Sequence, residues 1–127
     1  MKIKCISTVR PNKKGVYEAL TIGKEYTVLS IEFYDRLEST FSNSLGDFIA
    51  YRLKNNDGIV IPYPSKLFNI TSGELPSCWV SYRTGDFSYS ILPDSWARES
   101  FWEDYYNDDV VAIEEFAKAE KEILSQK

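Results

Sequence analysis

Hydrophobic and polar positions alternate most clearly from Leu20 to Ile31, LTIGKEYTVLSI, and the pattern predicts a turn followed by one long strand. Gly23 suits the turn because a residue without Cβ takes positive φ readily. Tyr26, Val28 and Ser30 then share one side of the strand, with Thr27, Leu29 and Ile31 on the other. Their aromatic and β-branched content fits a pleated, half-buried surface.

The same period recurs on either side. Residues 2 to 9, KIKCISTV, read as a strand that ends at Arg10-Pro11, because proline lacks the ladder N–H. Asn12 to Gly15 is a basic turn. Phe33 and Tyr34 extend the long strand, and Asp35 to Gly46 reads as a long Ser- and Asn-rich loop of the kind that often carries binding. Phe48 to Lys54 predicts the next strand. Asn55-Asn56-Asp57-Gly58 signals a hairpin, since these residues tolerate the left-handed conformation of tight turns. Ile59-Val60-Ile61 is the return strand. Pro62 and Pro64 are expected to stop regular pairing, before one 3₁₀ turn at Ser65 to Phe68 and a short strand to Ile70.

Thr71-Ser72-Gly73 with Pro76 marks a break. Cys78 to Tyr82 and Phe87 to Ile91, around Thr84-Gly85-Asp86, predict a second hairpin. Its Trp79, Phe87, Tyr89 and Ile91 are expected to cover an open edge or end of the first unit. The period then becomes helical. Leu92-Pro93-Asp94 opens this region, where proline suits a first turn and Asp94 meets the positive end of the helix dipole. Trp96, Ser100 and Tyr105 share a side, with Phe101 and Trp102 adjacent. Asn107 interrupts, and Asp108 or Asp109 caps a second helix bearing Val110, Ile113, Phe116, Ala117, Ile123 and Leu124 at helical spacing. A lone helix of this length is marginal in water, so the stripe has to dock. Ile113, Phe116, Ile123 and Leu124 would contribute about 1.5–3 kcal/mol each if buried.

A long loop after a first strand, a hairpin and then IVIPYPSKLFNI together resemble the end of an SH3-type barrel, over about residues 20–70. The reading is therefore α+β: a small SH3-like antiparallel β-barrel with an added β-hairpin and C-terminal helices. It places residues 1–127 in a single domain, with the barrel at 1–70, the hairpin at 71–92 and the helical extension at 93–127. In signalling SH3 domains a groove of Tyr, Trp and Pro binds proline-rich helices. Tyr34, Tyr63 and Pro64 match part of that groove, but no Trp follows the hairpin's first strand.

Composition narrows the chemistry. The 127 residues are 43% hydrophobic and 27% charged, an ordinary globular balance, and no apolar run approaches the roughly 20 residues of a membrane span. The start, MKIKCISTVRPNKK, lacks the apolar stretch of a secretory signal, so the expected location is cytoplasmic, with no membrane partner. Cys5 and Cys78 lack zinc-ligand spacing and are expected as small buried thiols. The absence of histidine removes the commonest general base and imidazole ligand. Glu103 and Asp104 are sequence neighbours that would point apart on a helix, so no acid–base pair is singled out. No catalytic residue, cofactor or metal is expected, and the chain is read as not an enzyme.

Charge adds a direction. Residues 1–70 carry ten Lys/Arg against seven Asp/Glu, and residues 71–127 carry five against twelve. Halves of +3 and −7 give two surfaces of opposite electrical character. The acidic run from Asp94 to Glu115 contains the candidate partner-binding residues Glu99, Trp102, Glu103, Asp104, Tyr105, Tyr106, Asp108 and Asp109. Aromatic anchors among carboxylates combine tight contact with fast encounter, and point to a basic protein partner. The same charge repels nucleic acid, although Lys2, Lys4, Arg10, Lys13 and Lys14 form a small basic counterpart.

In size, acidity and the order of barrel and helices, the whole chain resembles bacterial immunity proteins that neutralise secreted nuclease toxins. That resemblance implies a stoichiometric inhibitor whose acidic, aromatic face covers a toxin's basic cleft. No motif defines the group, so it assigns no residues. The alternative expectation is an SH3-like nucleic-acid- or ligand-binding module.

Overall fold

The computed structural model describes residues 1–11, 14–34, 48–83 and 89–125. The loop predicted at Asp35 to Gly46, the turn at Thr84-Gly85-Asp86, Phe87 and part of the basic turn after Pro11 lie outside the described residues. Eight strands come in the order β1 (Lys2–Cys5), β2 (Glu25–Thr27), β3 (Ser30–Tyr34), β4 (Phe48–Lys54), β5 (Val60–Pro64), β6 (Phe68–Ser72), β7 (Trp79–Arg83) and β8 (Tyr89–Pro93). Short 3₁₀ turns at Ser65–Leu67 and Asp94–Trp96 precede β6 and the helices α1 (Phe101–Tyr106) and α2 (Val110–Ser125). The class is α+β.

The strands form two sheets, in the orders β2-β1-β6 and β5-β4-β3-β8-β7, with every pairing antiparallel. Among the described residues they do not close into one continuous barrel. The single long strand expected from Leu20 to Ile31 is divided. The Val28 N–H donates to the Met1 carbonyl at 3.0 Å, on the three-stranded sheet, and the Leu29 N–H to the Arg52 carbonyl at 2.8 Å, on the five-stranded one. The chain thus changes sheets between two adjacent residues, and Tyr26, Val28, Leu29, Ser30 and Ile31 are all buried instead of alternating.

Two cores follow from that crossing. Val28, Ile31, Tyr51 and Leu53 join Ile3, Cys5, Tyr26 and Phe68 in the first, between the sheets. Leu29, Val60 and Leu92 join Trp96, Phe101, Phe116 and Ile123 in the second, between the larger sheet and the helices. Successive side chains of a strand point to opposite faces, so one sheet serves both cores. Cys5 is buried and Cys78 half-buried, and both are free thiols.

Local chemistry explains most boundaries. In the first hairpin Asn55 Oδ1 accepts from the N–H groups of Asp57 (2.9 Å) and Ile59 (3.0 Å), while Gly58 takes φ 76°. The prolines of β5 correct the expectation that they end pairing: Pro62 lies opposite Arg52 and Pro64 opposite Ala50. They sit two residues apart on an edge strand, so both donor-less nitrogens fall on the parity facing away from β4. The second hairpin forms and adds β7 and β8 beside β3. Pro93 closes β8 and caps the short 3₁₀ turn at Asp94–Trp96, and the first α-helix begins only at Phe101. Asn107 does separate the helices, and Asp109 Oδ1 caps α2 by accepting the Ala112 N–H at 2.9 Å. The stripe predicted on α2 divides: Phe116 and Ile123 are buried with Ala112 and Ala119, whereas Val110, Ile113 and Leu124 are exposed.

The turn glycine gives a direct check. A Cβ at Gly58 would meet nothing within 4 Å, so Gly58→Ala pays only for its left-handed backbone. We expect a loss of about 1–2 kcal/mol in urea unfolding. Gly73→Ala, without positive φ and with Ile70 Cγ2 3.9 Å away, should be neutral or up to about 1 kcal/mol stabilising.

Candidate functional site

Ser30, Glu32 and Tyr34 alternate along β3 and so share one face, which is the helix-facing side. Cross-strand register sets Arg52 of β4 opposite Ser30, one step from Glu32. The Glu32 carboxylate receives Arg52 Nε and, at 3.0 Å, Arg52 Nη2. It also accepts the Ser30 hydroxyl at 3.1 Å and the Tyr34 hydroxyl. Four donors fill what a carboxylate can accept. The pair is almost closed to solvent, with side-chain exposures of 9% for Arg52 and 5% for Glu32. Burial works against the charge of Arg52, but the facing carboxylate holds its pKa above the usual value. Burial, reinforced by the negative charge of Glu32, pushes Tyr34 up as well, so it stays a donor.

Helix α1 is the lid over this pair. The Arg52 guanidinium lies 4.2 Å from the Trp102 ring centroid, a cation–π contact. Its Nη1 donates to the Tyr106 hydroxyl at 2.7 Å, and that hydroxyl donates to the Val60 carbonyl. Trp96 lies beside Trp102, with ring centroids 5.4 Å apart, and its Nε1 donates to the Glu115 carbonyl at 3.2 Å. Tyr105 stacks on Phe116 at 4.6 Å. The backbone enters and leaves this short helix through two left-handed residues, Ser100 (φ 66°) and Asp108 (φ 61°).

Rings and carboxylates, expected together on one surface, are separated by the lid. Trp102 and Tyr105 are half-buried and packed on the second core, while Tyr106 is 46% exposed with its hydroxyl engaged below. Asp104 accepts from Arg98 Nη1 at 2.8 Å, and Arg98 Nη2 reaches Glu115 at 3.3 Å. Asp109 is exposed and caps α2. Glu99, Glu103 and Asp108 are exposed. Glu103 falls on the side of α1 away from Phe101 and Tyr105, as a spacing of two residues requires.

Between lid and sheet lies a cleft of about 210 Å³, lined by Glu32, Tyr34, Arg52, Tyr82, Tyr89, Ser90, Leu92, Trp96, Arg98 and Trp102. Its walls are aromatic. Its charged floor is saturated, because Glu32 already has its donors and Arg52 is shared between Glu32 and Tyr106. No group of three or more potential metal-ligating side chains occurs among the described residues. The sequence reading missed Glu32 and Arg52. Their signal was a charged residue at the centre of each of two strongly apolar strands, IEF and YRL, which only a partner of opposite sign makes tolerable.

Removing one member of the pair should be far costlier than removing both. Arg52→Met leaves Glu32 buried and uncompensated, and should lower unfolding free energy by about 3–5 kcal/mol. Adding Glu32→Leu should recover most of that loss in urea titrations.

Comparison with known proteins finds no matching family model, no matching curated protein and no matching solved structure.

Proposed function

We propose that the chain is a non-catalytic protein-binding module whose acidic C-terminal surface covers the basic cleft of a partner. Its resemblance to immunity proteins makes a nuclease toxin the class of partner to seek. The observation that carries this reading is uncompensated charge. Glu99, Glu103, Asp108 and Asp109 are exposed, and none has a cation within ion-pair distance among the described residues. The nearby Arg98 is already committed to Asp104 and Glu115.

Apolar contact is available beside these carboxylates. Tyr106, Val110 and Val111 are 46%, 68% and 59% exposed. Trp102 and Tyr105 serve from beneath, fixing the helix that displays the charge. A preformed acidic surface speeds encounter with a cationic protein, and a fixed backbone lowers the ordering cost on docking. The proposal takes residues 20–70 as an SH3-like barrel opened into two sheets. A first core shared by both sheets supports it. Nucleic acid fits the surface poorly, and Lys2 of the basic cluster faces Glu25 at 4.0 Å. No described helix is long and apolar enough to cross a membrane; the proposed setting is the cytoplasm.

The aromatic cleft over Glu32 favours a second reading, an SH3-like ligand-binding module. Its saturated floor and ring-lined walls would take a flat ligand with few polar groups.

Retention of host proteins by the wild-type chain and by an E99K/E103K/D108K chain tests the first reading. We expect a basic protein held at one-to-one stoichiometry, with association slowed about tenfold or more by the reversal and circular dichroism unchanged. Equal association by both chains, or no basic protein at all, contradicts it.

A further inference from the structure

Helix α2 carries more apolar surface than the fold covers. Ala112, Phe116, Ala119 and Ile123 face the second core. Beside them, Val110, Ile113, Ala117 and Leu124 follow the 3-4-7 spacing of a coiled-coil seam. This second stripe is open: Val110, Ile113 and Leu124 are 68%, 40% and 61% exposed, and Ala117 is exposed too. It runs for about 21 Å at the ordinary helical rise. Glu120, the remaining seam position, is drawn aside by Lys54 Nζ at 2.7 Å.

The charges along the stripe select its occupant. Glu114 and Lys121, seven residues apart, occupy the same flank, and both are exposed without an ion-pair partner among the described residues. The N-terminal half of the helix is thus acidic at the stripe and the C-terminal half basic. A uniformly basic partner helix would meet Lys121 and Lys118. A parallel copy would set Glu114 near Asp109 of the second copy and Lys121 near Phe116, and gains no ion pair. An antiparallel copy places Glu114 against Lys121 of the second copy, and two-fold symmetry forms that pair twice. The helix dipoles then run in opposite directions, which is also favourable.

We propose that this face of α2 is a self-association surface, on which a second copy of the chain docks antiparallel through Val110, Ile113, Ala117 and Leu124. The contact is narrow, so the dimer is weak and concentration-dependent. Apart from Val110 it uses residues other than those of the acidic surface above, and it stands without that reading.

Sedimentation equilibrium of the intact chain, from micromolar to millimolar concentration, tests the proposal. The wild type should dimerise, and E114K and K121E should each weaken self-association about tenfold, since each turns two attractions into repulsions. An equimolar mixture of the two single variants should dimerise again, as should E114K/K121E alone. I113E should abolish the dimer. All substitutions are at exposed positions, and circular dichroism checks their folding. L124S supplies an independent loss should I113E misfold. A monomeric wild type at every concentration overturns the proposal, as does a dimer indifferent to these variants or a mixture that stays monomeric. A monomer that instead holds a foreign protein through Ile113 overturns it in favour of that protein.

Discussion

Burying a carboxylate and a guanidinium is expensive, and the Glu32–Arg52 pair is tolerable only because neither charge is left short of partners. Ser30, Tyr34 and Arg52 supply the carboxylate, while Trp102 covers the guanidinium and Tyr106 accepts from its third nitrogen. These residues come from β3, β4 and α1. The pair therefore ties the middle of the larger sheet to the helical layer and fixes where α1 lies. The second core forms around that position: Trp96, Phe101, Tyr105 and Phe116 stack in succession under the same lid.

What the lid displays follows from what it covers. A six-residue helix cannot hold its shape alone, and α1 does so by packing Phe101, Trp102 and Tyr105 on the second core and tying the Tyr106 hydroxyl to β4 and β5. Glu103 faces away, and Glu99 and Asp108 lie outside the ends of the helix. The acidic surface is then a consequence of packing, carried on a backbone whose position is already set. The proposed binding to a basic partner would draw on this arrangement, since association then depends on charge and little has to rearrange on docking.

The legible parts of the sequence were those decided by neighbours in the chain. Asn55 to Gly58 made its turn through its own side chain and a left-handed glycine, Asp109 capped its helix, and Asn107 broke one helix from the next. The parts that misled were decided across the fold. Val28 and Leu29 look like consecutive positions of one strand, but their hydrogen bonds go to different sheets. Pro62 and Pro64 look like terminators, yet an edge strand accepts them at a single parity. The α2 pattern mixes two stripes, and sequence alone does not say which one meets the core. Within the candidate site, the sequence pattern grouped rings with carboxylates and did not show how the helix divides them. Trp102 and Tyr105 read as anchors for a partner because the buried charge that holds Trp102 lies 50 positions earlier, at Arg52.

The central claim is that Arg52 holds the helical lid through Trp102. A double-mutant cycle on unfolding free energy, using Arg52→Met, Trp102→Leu and the double variant, measures that link directly. The account predicts a favourable coupling of about 1–2 kcal/mol, as expected for a desolvated cation–π contact. Strict additivity of the two losses would contradict it.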